Sequence, residues 1–522
     1  MVEASTGESE RMARRQVLES LSGLLLVLFV AMISSTVVST ALPRIIGSLN
    51  GTQVQYTWVV TATLLTATAS TPIWGKLADL FSKKLLVQVA ITIFVVGSMM
   101  SGFAQDAGQL IASRAFQGIG VGGLQALVQV VIAAIIPPRE RGRYNGYLGA
   151  VMAVATVGGP LLGGLIVDVS WLGWRWCFFV GVPIALLAFV VLQKTLRLPV
   201  ERRQDVHIDY LGAALIAAGV SILLIWVSFV DNSFAWGSWQ TGAMVGAGLA
   251  ILVAAVLVEA HAREPVVPLK IVVSRTPALA ILASLAVGMA MFGGAVFLGQ
   301  YFQIGRGYTP TEAGLLTMPM MAGVLISSTV SGRLISRSGV IKPYIVGGTI
   351  VLAVGFLGLG MMDHATSLWL VGVAMFVAGA GVGMVMQNLV LAVQNTVALR
   401  DLGAASASVT FFRSLGGTIG VSVLGAVLAN RVTADLTEKL GAAPGGGGGG
   451  SANALNLAAL PPQVQVAVRT AYGDATAHIF LISAAVAVVG VIAALLLKPI
   501  TLRTTLDLEE EPEPDQVGAH HG

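Results

Sequence analysis

The 522-residue chain has few charges and almost no cysteine. Charged residues make up 11% of the sequence, whereas soluble proteins contain roughly 25%. This shortage argues against a soluble enzyme, a disordered scaffold and a nucleic-acid-binding protein. The single cysteine, Cys177, cannot form an intrachain disulfide or a thiolate zinc cluster, and the six histidines lack metal-ligand spacing. We therefore expect no metal, no cofactor and no nucleic-acid partner.

Hydrophobic residues are abundant, at 55% of the chain. A transmembrane helix needs about 20 apolar residues, so this content suffices for roughly fourteen spans. In lipid each span must satisfy its own backbone hydrogen bonds, which predicts helices. The sequence thus predicts an all-α integral membrane protein with fourteen spans, at approximately 20–43, 57–78, 85–104, 110–136, 144–167, 176–193, 210–230, 240–258, 276–304, 312–331, 343–362, 367–393, 402–430 and 475–497.

Lysine and arginine are distributed unevenly between the two sets of connecting segments. If the N-terminus is cytoplasmic, 21 of the 30 basic residues fall on the inside and 6 on the outside. Basic residues concentrate in cytoplasmic loops, so both termini are predicted to be cytoplasmic. The first run exceeds the apolar region of a signal peptide, which is about 7–15 residues, and it is interpreted as an uncleaved helix of a cell-membrane protein.

A loop sequence occurs twice along the chain. GKLADLFSKK (75–84) follows the second span, and GRLISRSGVIK (332–342) follows the tenth. Repeated halves are typical of secondary transporters. The predicted organisation is a cytoplasmic tail (1–19), a six-helix half (20–200), an inserted helix pair (201–262), a second six-helix half (263–500) with a flexible glycine-rich outer loop (431–474), and an acidic cytoplasmic tail (501–522).

Four motifs occur in order and on the expected spans: GKLADLFSKK, RAFQGIGVGG (114–123), GGPLLGG (158–164) and WRWCFFVGVP (174–183). Together they resemble the motifs of the major facilitator superfamily. Over about residues 20–500 the chain is most similar to the fourteen-helix drug:proton antiporter branch, of EmrB/QacA type. The resemblance implies two six-helix halves with an inserted pair. The chain departs from the family pattern at Leu80, Ser82 and Gly181, and at Ser34, where the family usually has an acid.

The resemblance implies roles for the glycines and charges of these motifs. A gating latch on the cytoplasmic side would comprise Gly75, Asp79, Lys83 and Lys84, with Gly332, Arg333 and Arg337 in the second copy. Read without the family, these are solvated loop charges or topology signals. The antiporter motif would comprise Gly159, Pro160, Gly163 and Gly164, for which plain close helix packing is the alternative.

Polar residues within the spans are predicted to line a substrate cavity. Helical spacing places Arg114, Gln125 and Gln129 on one stripe of span 4. A cation in a span usually faces a partner or a water-filled cavity, although Arg114 would also be able to snorkel to the outer interface. The other candidates, for which structural glue between helices is the alternative, are Gln117, Gln300, Gln303, Gln387, Asn388 and Arg413.

The coupling proton needs a titratable group, and Ser34 cannot provide one. No acid lies in the middle of a span. The remaining candidates are Asp168 and Glu312, both at outer span ends, where partial burial would favour the protonated form. The alternative for Asp168 is an exposed residue that caps the turn between spans 5 and 6.

These features together predict a transporter, not an enzyme. The leading hypothesis is a monomeric, proton-driven antiporter that exports lipophilic small molecules across the lipid bilayer. One alternative is an exporter of lipids or cell-envelope precursors on the same fold. Another is a membrane receptor or scaffold that no longer transports.

Overall fold

The computed structural model describes residues 2–49, 53–169, 172–196, 209–230, 234–262, 265, 267, 269–398, 401–440 and 462–503. In these ranges the fold is built of helices. They are α1 (Val2–Ser48), α2 (Gln53–Leu80), α3 (Lys83–Gly102), α4 (Ala107–Ile135), α5 (Pro138–Asp168), α6 (Trp176–Phe179), α7 (Gly181–Thr195), α8 (Tyr210–Phe229), α9 (Trp239–His261), α10 (Leu269–Val272), α11 (Arg275–Gln300), a π-helical turn (Tyr301–Gly305), α12 (Pro310–Leu316), α13 (Met318–Ser338), α14 (Lys342–Gly360), α15 (Leu368–Gln394), α16 (Leu402–Leu440) and α17 (Pro462–Leu496).

The predicted all-α class is confirmed, but the predicted count of fourteen spans is not. Within the described residues, twelve helices are long and apolar enough to cross a membrane. The helices over the second and fifth predicted spans, α2 and α5, have 28 and 31 residues but are not among the twelve. Threonine recurs through α2 and lowers its apolarity, and several side chains of α5 lie outside the described set.

The apolar core is divided along the chain into separate clusters. One cluster consists of residues from 280 to 502 and, from the first half, only Ala133. Two others come from residues 21–196, and the second half adds only Ala407 to them. In the first part α4 packs on α2 and α3, and α1 packs on α5, whereas in the second part α15 packs on α13 and α14. Each half of the chain therefore has a core of its own.

The inserted pair, α8 and α9, lies beside the line where the two halves meet. Helix α8 contacts both α2 of the first half and α16 of the second. Its Ile216, Val220 and Leu224 form a cluster with Ala255 of α9 and Phe411 of α16. The pair therefore covers one side of the seam between α2 and α16.

Two predicted non-membrane segments are more helical than expected. The predicted tail 1–19 belongs largely to α1, which already begins at Val2. The predicted loop 431–474 is helical at both ends, because α16 continues to Leu440 and α17 begins at Pro462. Val432 and Leu436, one turn apart on α16, are buried, so apolar residues at helical spacing extend the helix. The glycines 445–450 lie outside the described residues.

Candidate functional site

Asp79 joins the two halves of the chain at the end of α2. Its Oδ1 accepts a hydrogen bond from the backbone N–H of Gly403 at 2.7 Å, and its Oδ2 accepts one from Ala404 at 2.8 Å. Both donors lie in the first turn of α16, where backbone N–H groups have no partner within the helix. The carboxylate also complements the positive end of the helix dipole. We call this contact the Asp79 latch.

Glycines allow α2 and α16 to approach closely at the Asp79 latch. A Cβ atom on Gly75 would collide with the Cβ of Ala407 and lie 2.7 Å from the backbone oxygen of Gly403. A Cβ on Gly403 would in turn collide with the backbone oxygen of Gly75. The two backbones therefore touch, which brings the amides of α16 within reach of Asp79.

The two lysines predicted for the latch differ in what they contact. The Lys83 ammonium is close enough to Asp79 to interact with its charge. The Lys84 Nζ instead donates to the backbone oxygen of Gln193 in α7, at 2.6 Å. Lys84 therefore stabilises packing within the first half and lies outside the contact between halves.

The second copy of the loop motif is built differently. Four residues after Gly332, at the position that matches Asp79, the chain has Ser336, and the predicted Arg333 and Arg337 are exposed. Arg139 of α5 makes the contact between halves here, because its Nε and Nη2 donate to the backbone oxygens of Ser336 and Arg337 at 3.4 and 3.3 Å. The second contact thus depends on an arginine of the first half.

A buried arginine beside Arg139 makes a further contact between the halves. Arg141 is 3% exposed, and its Nη1 donates to Oε1 of Gln394 in α15 at 2.9 Å. Its other nitrogens donate to the backbone oxygens of Ile136 and Ala133. Sequence reasoning counted Arg139 and Arg141 only as topology charges. The available signal was their place in the first turn of a helix that starts at a proline pair.

Arg114 belongs to a buried polar cluster of the first half that is centred on Gln117. It is 4% exposed, so it does not snorkel to the interface. Its Nη1 donates to Oε1 of Gln117, whose Nε2 donates to the Ser98 hydroxyl at 2.6 Å and the Ser34 hydroxyl at 3.3 Å. The serine at the family's acidic position is therefore linked to Arg114 through Gln117.

The charge of Arg114 is only partly compensated. Its buried Nε has no hydrogen-bond partner, and among the described side chains no carboxylate lies within ion-pair distance. The Phe178 ring centroid lies 6.0 Å from its Cζ, at the limit of a cation–π contact. A cation within a membrane bundle is costly and usually marks a functional site.

The predicted cavity residues of the two halves meet at α15. Gln129 of α4, half-buried, donates through Nε2 to Oε1 of Gln387 at 2.9 Å. Arg413, 7% exposed, donates to the backbone oxygen of Met386 at 3.4 Å. Asn388 donates to Met384 within its own helix, as a structural amide does.

Three further glutamines predicted for the cavity are placed differently. Gln125 is half-buried on α4, as is Gln300 at the end of α11, and Gln303 is exposed on the π-helical turn. In the part of the chain that the structure describes, no hydrogen bond connects Gln300 or Gln303 to Gln387 or Arg413.

The antiporter motif lies against α1. A Cβ on Gly159 would collide with the Thr36 side chain, and the Thr36 hydroxyl donates to the backbone oxygen of Ala155 at 3.1 Å. This close packing lies half a turn from Ser34. Gly163 is buried, whereas nothing is described for the side-chain positions of Pro160, Gly164 and Asp168.

The partial burial expected of Glu312 is not found. Its side chain is exposed and accepts hydrogen bonds from the Thr309 backbone N–H at 2.8 Å and the Thr309 hydroxyl at 2.9 Å. With the return bond from Glu312 N–H to the Thr309 hydroxyl, this is a capping box at the start of α12. Solvent and these donors stabilise the ionised carboxylate, so nothing at this site favours proton uptake.

Comparison with known proteins places the chain in a family. The model of the Major Facilitator Superfamily matches residues 24–421. The chain belongs to the major facilitator superfamily. The Bacillus subtilis (strain 168) multidrug transporter protein MdtP is 35% identical over 422 residues, which are 80% of this chain and 77% of MdtP. An uncharacterized MFS-type transporter of Mycobacterium tuberculosis (strain ATCC 25618 / H37Rv) is 38% identical over 91% of this chain and 68% of its own.

The fold agrees with this membership. The proton:xylose symporter XylE superposes with a TM-score of 0.60 at 15% identity, covering 92% of this chain and 95% of XylE. At that identity the likeness concerns the fold alone. This major facilitator is therefore a multi-pass membrane transporter and not an enzyme, and its Asp79 latch and Arg114 cluster lie within the residues that the family model matches.

Proposed function

We propose that this transporter exports lipophilic small molecules from the cytoplasm or inner leaflet in exchange for protons. The name of the relative MdtP, a multidrug transporter, supports export of chemically varied compounds. The superfamily membership supports transport by the two halves of one chain. The site residues, the direction of transport and the coupling ion are parts of this proposal.

The Asp79 latch is the observation that carries the proposal. Alternating access requires a contact between the halves that forms in one state and breaks in the other. Two charge-assisted hydrogen bonds to the backbone of α16 fit this requirement, because water replaces them when the helices separate. A scaffold has no need of a half-buried carboxylate that connects the two halves.

The residues proposed to line the cavity are suited to ligands of different shape and polarity. Gln129 and Gln387 bond to each other across the seam, and each amide can turn to donate to or accept from a bound molecule. Met384 and Met386 lie on the same stretch of α15, and flexible thioethers repack around different shapes. Gln125 and Arg413 complete the proposed lining.

Proton coupling is proposed from the antiporter motif. Gly159 packs α5 tightly against Thr36 of α1, two residues from Ser34, so a movement of α5 would reach the Arg114 cluster through α1. Asp168, at the end of α5, remains the leading candidate for the coupling acid. Glu312 is the weaker candidate because its carboxylate is exposed and already bonded to Thr309.

The functional test is a susceptibility panel on a drug-sensitive host. Cells that produce the wild type should tolerate several unrelated lipophilic drugs better than cells that produce Asp79→Asn, whose side chain offers one acceptor to two N–H donors. Equal susceptibility of both strains and of the empty host would contradict drug export. An altered envelope lipid composition in a deletion strain, without a change in susceptibility, would favour the lipid-export alternative. No phenotype in either assay would favour a receptor or scaffold.

A further inference from the structure

A short extended segment follows α17 and packs against the second half. The backbone N–H of Leu502 donates to the oxygen of Gly339 at 2.7 Å, and that of Ile341 donates to the oxygen of Ile500 at 3.4 Å. Gly339 has a φ of 71°, a left-handed conformation that ends α13 and turns its carbonyl towards the segment. Ile500 and Leu502 are buried in the core of the second half. We call residues Ile500–Arg503 the C-terminal strap.

The strap is also fixed to the end of α15. The Asn395 side chain accepts from the Arg503 backbone N–H at 2.9 Å and donates to the Thr501 oxygen at 3.0 Å. The Arg503 Nη2 donates to the backbone oxygens of Gln394 and Val397, each at 3.0 Å. These bonds hold both edges of the strap and place its last carbonyl.

That carbonyl contacts the other half of the molecule. The backbone oxygen of Arg503 accepts from the backbone N–H of Arg139 at 3.2 Å. Arg139 lies in the first turn of α5, where the N–H group has no acceptor within the helix. The strap thus supplies a carbonyl acceptor to the start of α5, just as Asp79 supplies carboxylate acceptors to the start of α16.

The two loop motifs explain why a strap is needed at this position. In the first motif the residue four positions after Gly75 is Asp79, which binds the start of α16. In the second motif the residue four positions after Gly332 is Ser336, and its buried Oγ has no partner. The start of α5 therefore receives no side-chain carboxylate from the second motif, and the Arg503 carbonyl occupies that role.

We propose that the C-terminal strap is the second latch between the halves, and that its release from α5 accompanies opening of the face predicted to be cytoplasmic. The role of strap release in transport rests on the proposed function. The contact between the strap and α5 is independent of that function, so the experiments measure the distance between the halves. Failure of drug export would leave that measurement unaffected.

The first experiment compares two purified variants of the chain that are shortened only at the C-terminus. Spin labels are placed on the exposed residues of α5 and α13 by Glu140→Cys and Leu334→Cys, while the native Cys177 is buried and remains unlabelled. Deletion of 500–522 removes the strap, and deletion of 504–522 is the matched control that keeps it. Pulsed electron–electron double resonance should show a population with a longer distance between the two labels in the variant without the strap only. An unchanged distribution, or the same lengthening in the control, would overturn the proposal.

The second experiment removes only the N–H donor and does not depend on a truncated chain. Arg139→Pro abolishes that donor without removing a hydrogen bond within α5, because N–H groups of the first turn have no acceptor in the helix. Arg139→Ala also removes the side-chain bonds to Ser336 and Arg337 but keeps the donor. Loss of one hydrogen bond should shift the open-to-closed ratio of Arg139→Pro roughly two- to twelve-fold beyond that of Arg139→Ala. Equal ratios would assign the contact to the guanidinium and refute a backbone latch. Monodisperse elution confirms that each variant is folded.

Discussion

At the scale of single residues, the buried guanidiniums constrain function most. Arg114 and Arg413 lie inside a bundle that offers them few acceptors, namely Gln117 and the backbone of Met386. A purely structural side chain at such a position would be apolar, because burying an uncompensated charge is unfavourable. We therefore propose that both arginines face the substrate cavity, where each is able to donate to a polar group of a bound molecule.

We expect Arg114→Ala to reduce efflux to less than about a tenth of wild type while the protein still reaches the membrane. The substitution leaves the Gln117 carbonyl without its donor, which costs about 1–3 kcal/mol, and it removes the cation from the proposed cavity. Dye efflux normalised to membrane abundance measures the effect. Arg175→Ala is the control, because Arg175 is exposed and stacks on Trp174. Full efflux by Arg114→Ala would show that the cation is dispensable.

The coupling acid can be tested with two amide variants. We expect Asp168→Asn to lose pH-driven efflux in vesicles and Glu312→Gln to retain it. Glutamine still forms a capping box with Thr309, so α12 should keep its stability. Initial rates after an imposed pH jump distinguish the two. If both variants transport at the wild-type rate, neither acid carries the coupling proton and the assignment to Asp168 fails.

The contact of Asp79 was predictable from sequence, whereas its counterpart was not. The motif places an acid directly after a span, and a carboxylate there seeks unpaired amides at a nearby helix start. The bonds of Arg141 to Gln394 and of Arg139 to Arg503 join residues more than 250 positions apart. Which side chains meet across a seam depends on helix tilt and rotation, and a single sequence does not determine these.

At the scale of elements, the close approach of α2 and α16 requires a residue without a Cβ atom at position 75, which can be tested. We expect Gly75→Ala to destabilise the closed state by about 1–3 kcal/mol, because its Cβ would collide with Ala407 and Gly403. The expected results are reduced efflux and increased labelling of the seam from the cytoplasmic side. Gly242→Ala in α9 is the matched control, since open space surrounds that position. Similar loss in both variants would indicate a general effect of replacing helical glycine.

The segment 431–474 shows that composition alone is a poor guide to where helices end. A run of glycines suggested a loop over 431–474, yet the residues on both sides of the run continue α16 and α17. A glycine disfavours helix only at its own position and does not prevent helix formation in the residues on either side. Those residues include Val432 and Leu436 of α16 and Val468 and Ala471 of α17, all of which are buried. The period of the apolar residues was the better signal.

At the scale of the whole molecule, the basic residues predict orientation. The 21-to-6 distribution predicts that both termini are cytoplasmic and that residues 441–455 are outside. We expect a membrane-impermeant thiol reagent to label single cysteines placed in 441–455 on intact cells, and cysteines placed at exposed Glu140 only after the membrane is opened. The reverse pattern would invert the topology, and with it the assignment of the Asp79 latch and the strap to the cytoplasmic face.

The balance of buried charge across the molecule also predicts which substrates are exported. Arg114 and Arg413 are buried in the proposed cavity region, whereas the buried Glu259 belongs to the inserted α9 and accepts from the Val267 backbone. A desolvated dication would therefore meet like charge. At an effective dielectric of about 20, each additional positive charge held roughly 6–8 Å from a guanidinium costs about 2–3 kcal/mol. We therefore expect at least roughly tenfold weaker efflux of divalent than of monovalent quaternary ammonium compounds. Neutral, weakly basic and anionic drugs should be the favoured substrates. Ser34→Asp should narrow this difference, because the new carboxylate would lie beside Gln117 and offset Arg114, and Ser34→Asn should not. Stronger efflux of divalent compounds by the wild type would show that these guanidiniums do not face the substrate.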